Sequence, residues 1–178
     1  MNRPNWTQRG NWSIAKLITA CAVAMLGFGT SSAFADEPIV GLWQATWTDD
    51  SNGPTEGQVV LNVWDVWQAD RTETQNDSTP VIQGFVCQGA WTPLGKRTYF
   101  LSHPSYVYTG ADGHLDETQS TVIYEKVTVS NEGNSFQGKG LIRGFSGIDP
   151  FDPSATVLYS FPIKITAKRV VPDLSQLP

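Results

Sequence analysis

Two residues of this chain combine a reactive type with neighbours that suit acid–base chemistry. His103 ends the run Arg97-Thr98-Tyr99-Phe100-Leu101-Ser102-His103, and Glu125 opens Glu125-Lys126-Val127-Thr128-Val129. On an extended chain His103 shares a face with Tyr99 and Leu101, and Glu125 shares one with Ile123, Val127 and Val129. Each therefore interrupts an apolar face. An imidazole beside a carboxylate is a general base with its orienting group. An inward Glu near Tyr99 can instead hydrogen-bond a hydroxyl or carbonyl of a ligand. A buried His–Glu or His–backbone pair can also merely satisfy itself. That reading is preferred over catalysis, so His103 and Glu125 stand as candidates without an assigned catalytic role, and His103 is kept as a ligand contact.

The other reactive types point to less. Cys87 follows Phe85 and precedes Gly89 and Trp91 on one face, where a free cysteine acts as a small apolar residue. No cation adjoins it in sequence to favour a thiolate. Asp65, Asp70 and Glu73 follow one another closely. An acidic pair for glycoside cleavage needs a defined separation, and solvated loop carboxylates are the expectation. His103 and His114 are the only histidines, and His114 sits in a turn, so no metal site is expected. Asp112-Gly113 is turn chemistry and not a calcium loop. No phosphate-cradling loop, Gly-x-Ser-x-Gly elbow or zinc pattern occurs, and no cofactor is expected.

The elements that must position these groups are strands. No helical period runs through the chain after residue 36; apolar residues alternate and turn residues recur after short runs. The expected strands are Gly41 to Thr48, Gln58 to Gln68, Arg71 to Gln75, Gln83 to Trp91, two arms of a long hairpin between Arg97 and Val129, Ser135 to Phe145, and Ala155 to Val170. The hairpin turns at Ala111-Asp112-Gly113-His114. Its register decides the chemistry. A two-residue Asp112-Gly113 loop sets His103 opposite Val122 and sends His103 and Glu125 to opposite faces. A three-residue loop, or a bulge at Pro104, returns them to one face. In the seventh strand Phe136, Gly138, Gly140 and Ile142 face inward, and the glycines leave room for a ligand or a facing aromatic.

The first 35 residues read as a cleaved signal peptide. Arg3, Arg9 and Lys16 precede an apolar run from Leu17 to Phe28, and Ala33-Phe34-Ala35 is a cleavage site. A lipoprotein reading at Cys21 is disfavoured, because the chain stays apolar through Ala22-Val23-Ala24-Met25-Leu26. The expectation is export to the periplasm or beyond, with no stable membrane insertion after cleavage. Residues 36–178 then form a single domain. Losing three of the 12 basic residues and none of the 17 acidic ones gives the remainder a net charge of −8, which argues against nucleic acid as a partner. Cys87 is left as the sole cysteine, so no internal disulfide supports the fold.

Several of these pieces resemble known proteins. Gly41-Leu42-Trp43, at the head of the first strand, resembles the Gly-x-Trp signature of lipocalins and the wider calycin group. In that group a basic residue near the end of the last strand lies over the tryptophan and closes the barrel base; Arg169 is the matching residue. From Ile39 to Val170 the chain also resembles small exported bacterial lipocalin-like barrels of unassigned activity, in Gly89-Ala90-Trp91, in Arg97 to His103 and in Glu125 to Val129. Such proteins often read Trp-His-x-Asp-Gly where this chain has Trp67-Gln68-Ala69-Asp70-Arg71. The missing histidine and glycine put any role of that corner in doubt.

The expected architecture is therefore all-β: a single eight-stranded antiparallel up-and-down barrel, calycin-like, with a β-sandwich as the alternative. The leading functional expectation is that its lumen binds a small hydrophobic or aromatic molecule. Trp47, Trp64, Tyr99, Leu101, Phe136 and Phe161 would line it, His103 and Glu125 would anchor it, and Gly138 and Gly140 would give space. Trp43 and Arg169 are structural. A second reading is a cofactor-free cyclase or isomerase resembling the allene oxide cyclase and dirigent barrels, with Glu125 and His103 moving protons. A third is an interaction module without a small-molecule ligand, docking through outer aromatics Trp67, Tyr106 and Tyr108.

Overall fold

The computed structural model describes residues 37–80, 86–109 and 112–176. The signal-peptide and Cys21 expectations lie outside the described residues. Eight antiparallel strands follow one another around a closed barrel: β1 (Gly41–Asp49), β2 (Val59–Trp67), β3 (Thr72–Asp77), β4 (Val86–Pro93), β5 (Thr98–Thr109), β6 (His114–Val129), β7 (Ser135–Ser146) and β8 (Val157–Arg169). β8 pairs with β1, Trp43 facing Arg169 and Trp47 facing Ile165, so no sheet edge is left open. The up-and-down barrel, and not the sandwich, is the fold.

Period-two alternation decides which side chains enter the lumen. Trp43, Ala45 and Trp47 of β1, Val63 and Trp67 of β2, Tyr99 and Leu101 of β5, and Ile163 and Ile165 of β8 are buried together in one apolar cluster. One end of the barrel is plugged by aromatic rings. Trp43 meets Phe136 edge-on with centroids 4.9 Å apart, and Trp67 lies 5.9 Å from Trp91, 6.4 Å from Tyr99 and 6.2 Å from Phe136. Edge-to-face pairs each add about 0.5–1.5 kcal/mol to the area they bury.

Arg169 seals that end. Its guanidinium carbon sits 4.1 Å from the centre of the Trp43 ring. Nε donates to Gly133 O at 2.6 Å, Nη1 to Val40 O at 2.8 Å, and Nη2 to Pro38 O. The Trp43 indole N–H donates to Ile39 O at 2.7 Å, folding the segment before β1 under the barrel. Gly41, with φ of 138°, is required here, because a Cβ at that position would collide with the Arg169 guanidinium. The Gly-x-Trp pattern and the distant arginine are thus one device.

Towards the opposite end burial falls away. Along β8, burial gives way from Ile163 to half-buried Phe161 and exposed Tyr159, and on β2 from Val63 to Leu61 and exposed Val59. Tyr159 stands at this rim, its ring over Gly144 and its hydroxyl 3.2 Å from Thr121 Oγ1.

Candidate functional site

The hairpin register puts His103 and Glu125 on the same, inner face: His103 faces Ile123 and Leu101 faces Glu125. Near the turn, Thr109 faces His114 and Tyr108 faces Leu115. Continued unchanged, that register would set Glu125 outward. The shift comes from an insertion on β6, where Val107 alone faces residues 116–119, and not from either device the sequence offered, a three-residue loop or a bulge at Pro104. The Asp116 carboxylate holds the insertion, accepting bonds from Thr118 N (2.9 Å), Thr118 Oγ1 (2.5 Å) and Gln119 Nε2 (2.6 Å).

His103 and Glu125 are buried, but Glu125 is not the partner of the imidazole. His103 Nδ1 lies 3.2 Å from Oε2 of Glu73. Glu73 is on β3 and His103 on β5, so the pair spans the intervening β4. It does so over Gly89, which faces Glu73 directly; a Cβ there would lie 2.7 Å from Oε2. Asp65 on β2 completes the group. Asp65, Glu73, Gln75, His103 and Glu125 are all at most 1% exposed. Asp65 and Glu73 are therefore not solvated loop carboxylates, as the sequence suggested; only Asp70 is, capping Thr72 at the turn.

Burial dominates the electrostatics. It holds the Asp65 carboxyl well above the usual carboxylate range, assisted by the charges of Glu125 and Glu73. Burial, then the charge of Glu73, pushes Glu125 up to about 8. For His103 burial acts downward, but the nearby Cys87 thiol and the Glu73 carboxylate outweigh it and raise the imidazole to about 10. These shifts favour the neutral forms of Asp65 and Glu125 and the charged form of His103 beside Glu73.

Many polar atoms of this layer have no protein partner. Both carboxyl oxygens of Asp65 and of Glu125, Glu73 Oε1, Gln75 Oε1, His103 Nε2 and the indole nitrogens of Trp47 and Trp67 are buried and unbonded. A buried group left unsatisfied costs about 1–3 kcal/mol, so such a concentration needs a physical reason. Cys87 lies on the same wall, facing Gln75, with its thiol 3.5 Å from Ser105 Oγ. Among the described residues no group of three His, Cys, Asp or Glu is placed to hold a metal ion.

The remaining expected site residues divide. Trp47 and Leu101 point into the lumen and are buried, and Phe161 is half-buried near the rim. Tyr99 and Phe136 belong to the aromatic plug; burial and the Glu37 carboxylate raise the Tyr99 phenol, which donates to Glu37 Oε2 at 2.9 Å. Trp64 does not line the lumen: it faces Gln44 and Asn76 on the outer surface and is 46% exposed. The inward tryptophan of β2 is Trp67, three residues on from Trp64 and so on the opposite face, and Trp67 is not an outer aromatic either; of that trio, Tyr106 is exposed. Gly138 and Gly140 give no free space. A Cβ at Gly138 would lie 2.9 Å from Val127 Cγ1, and one at Gly140 2.9 Å from Ile163 Cγ1, so neighbouring strands already fill that volume.

The Trp67–Arg71 corner holds a residue other than glycine in a glycine-like conformation. Arg71 takes φ of 76°, a left-handed conformation natural to glycine. Its guanidinium lies 4.6 Å from the Trp91 ring centre, and the Trp91 indole N–H reaches Gln68 O and Thr72 O, both at 3.1 Å.

The fold and site carry the functional argument on their own: compared with known protein families the chain matches none, and no curated protein is significantly similar to it.

Proposed function

We propose that the protein is an exported, lipocalin-like barrel that receives a small, largely apolar molecule through the end opposite the aromatic plug. The ligand's polar group enters the Asp65–Glu73–His103–Glu125 layer. Leu61, Ile142 and Phe161, half-buried above the core, contact its apolar body. The single observation behind this reading is the set of buried, unpartnered polar atoms lying below a rim where burial gives way to exposure. Pockets for small molecules have this composition: apolar walls with a few converging polar groups. The Trp43–Arg169 closure supports kinship with the calycin barrels, and the Ala33-Phe34-Ala35 segment supports delivery by a cleaved signal.

The test is native mass spectrometry of protein purified from the exported fraction, followed by solvent extraction. A small molecule released on denaturation is the expected result. A bare polypeptide mass, together with indole N–H resonances of Trp47 and Trp67 that no apolar ligand shifts, would overturn the reading.

A second reading, cofactor-free isomerisation or cyclisation, draws on the acidity of Glu125. A carboxyl poised at about 8 can give and take a proton near neutrality, which suits a general acid–base. Glu125→Gln that retains ligand but loses turnover would favour this chemistry over plain binding.

A further inference from the structure

We propose that Cys87 is a nucleophilic thiol, activated by His103 and Glu73, that adds covalently to a small uncharged electrophile, an α,β-unsaturated ketone with an apolar body, taken up from a groove beside β4. The three residues lie in two adjacent rows of the barrel wall. In one row Glu73 faces Gly89 on β4, and Nδ1 of His103 on β5 reaches over that glycine to Glu73 Oε2 at 3.2 Å. In the next row towards the rim Gln75 faces Cys87, whose Sγ lies 3.5 Å from Oγ of Ser105. Cys87 and His103 are therefore diagonal neighbours across β4 and β5, a spacing over which side chains meet. His103 is fully buried, its Nδ1 is committed to Glu73, and its Nε2 has no protein partner. A nucleophile, a base with one free nitrogen and a carboxylate that orients the base are the parts of an activated thiol. Neighbours in sequence place no cation beside Cys87; the strand pairing supplies one. Burial opposes charge on that imidazole, and Cys87 and Glu73 together restore it.

Access comes from outside the core. The β4–β5 ladder runs from Pro93↔Tyr99 to Ala90↔Ser102. Beyond it a groove of about 780 Å³ is lined by half-buried Cys87, by Pro104, Tyr106 and Tyr108 of β5, and by Ile148 and Phe151 of the β7–β8 loop. That lining is largely apolar and aromatic. Asp149 is its one charged residue among the described residues, which disfavours an anionic reactant. Of the other buried carboxyls, Asp65 and Glu125 favour their neutral forms through burial, and Asp49 on β1 is held by its own loop, accepting from Ser51 N at 2.7 Å and Thr55 Oγ1 at 2.5 Å. Addition is complete with the groups present. The thiol proton passes to His103 Nε2, Sγ bonds to the β carbon of the ketone, the C=C electron pair shifts to the α carbon, and the proton moves from Nε2 to that carbon. No leaving group, water or redox partner takes part.

The test is labelling with benzylideneacetone, followed by intact mass and peptide mapping, on folded protein and on protein unfolded in urea. An adduct on Cys87 is expected, absent from Cys87→Ser; mapping separates it from Cys21, the other cysteine of the chain. A positioned proton acceptor contributes about 10²–10⁴-fold, so Cys87 should react about tenfold or more faster in the folded protein than in the unfolded chain. His103→Gln should remove that advantage, together with the thiolate ultraviolet absorbance that Cys87→Ser defines, and Glu73→Gln should lower both in part. Benzylacetone, the saturated analogue, should slow labelling by occupying the groove. Reaction no faster in the folded protein than in the unfolded chain overturns the proposal, and that comparison needs no variant to fold. A rate and an absorbance that survive in a folded His103→Gln overturn it as well, as does labelling that benzylacetone fails to slow.

Discussion

Glu73 reaches His103 because position 89 carries no side chain. Gly89→Ala would press a methyl against Glu73 Oε2 and Leu101 Cδ1, both under 3 Å away. Overpacking of this kind costs about 1–3 kcal/mol, and displacing the carboxylate should lower the His103 titration from its value of about 10, measurable by NMR. Glu125 gives a second prediction. Its folded value of about 8 stands above the ordinary 4.5, so the folded state holds the proton more tightly than the unfolded chain does. That contribution is complete below pH 4.5 and is lost as pH rises through 8, at about 1.4 kcal/mol per pH unit where the two states differ in protonation. The raised His103 acts in the same direction. Thermal midpoints should therefore fall between pH 5 and 8.5, and Glu125→Gln should flatten that decline. His103 and Glu125 were legible because each breaks an apolar alternation. Glu73 and Gln75 were not: β3 reads Thr-Glu-Thr-Gln-Asn-Asp, polar on both faces, so nothing in it contrasts inside with outside. Asp65 was hidden for the opposite reason, since β2 is apolar on both faces and Trp64 and Trp67 compete for the interior.

At the scale of elements, alternation made β1, β7 and β8 readable to within about two residues, and the Arg169 closure was implied by the resemblance to calycin barrels. The β6 insertion was not readable. Residues 116–119 are polar, and their geometry is set by side-chain bonds from Asp116 that no hydrophobic period reports. The corner before β3 holds Arg71 in a left-handed conformation. Arg71→Gly should be more stable than Arg71→Ala by about 1 kcal/mol in chemical denaturation, because both lose the guanidinium and only glycine is at ease at φ of 76°. Arg169→Met should lose the Trp43 contact, worth about 0.5–2 kcal/mol, and strand the carbonyls of Gly133, Val40 and Pro38. A loss of several kcal/mol is expected in the same measurement, with the aromatic near-ultraviolet signal of the plug weakened.

For the molecule as a whole, closure of β8 on β1 joins the first strand to the last, and most of the fold must form before either is stable. Equilibrium unfolding should be a single cooperative transition, and refolding should take milliseconds to seconds, as for other chains dominated by distant pairings. Stopped-flow tryptophan fluorescence would record both. The plugged end has a further consequence for traffic. With Trp43, Trp67, Phe136 and Arg169 stacked across the bottom, a ligand of the proposed lumen site would have to leave by the way it came, past Phe161 and Tyr159. Residence time in that proposed site would then be set at the rim, where the Tyr159 hydroxyl meets Thr121, and not by the buried carboxyls.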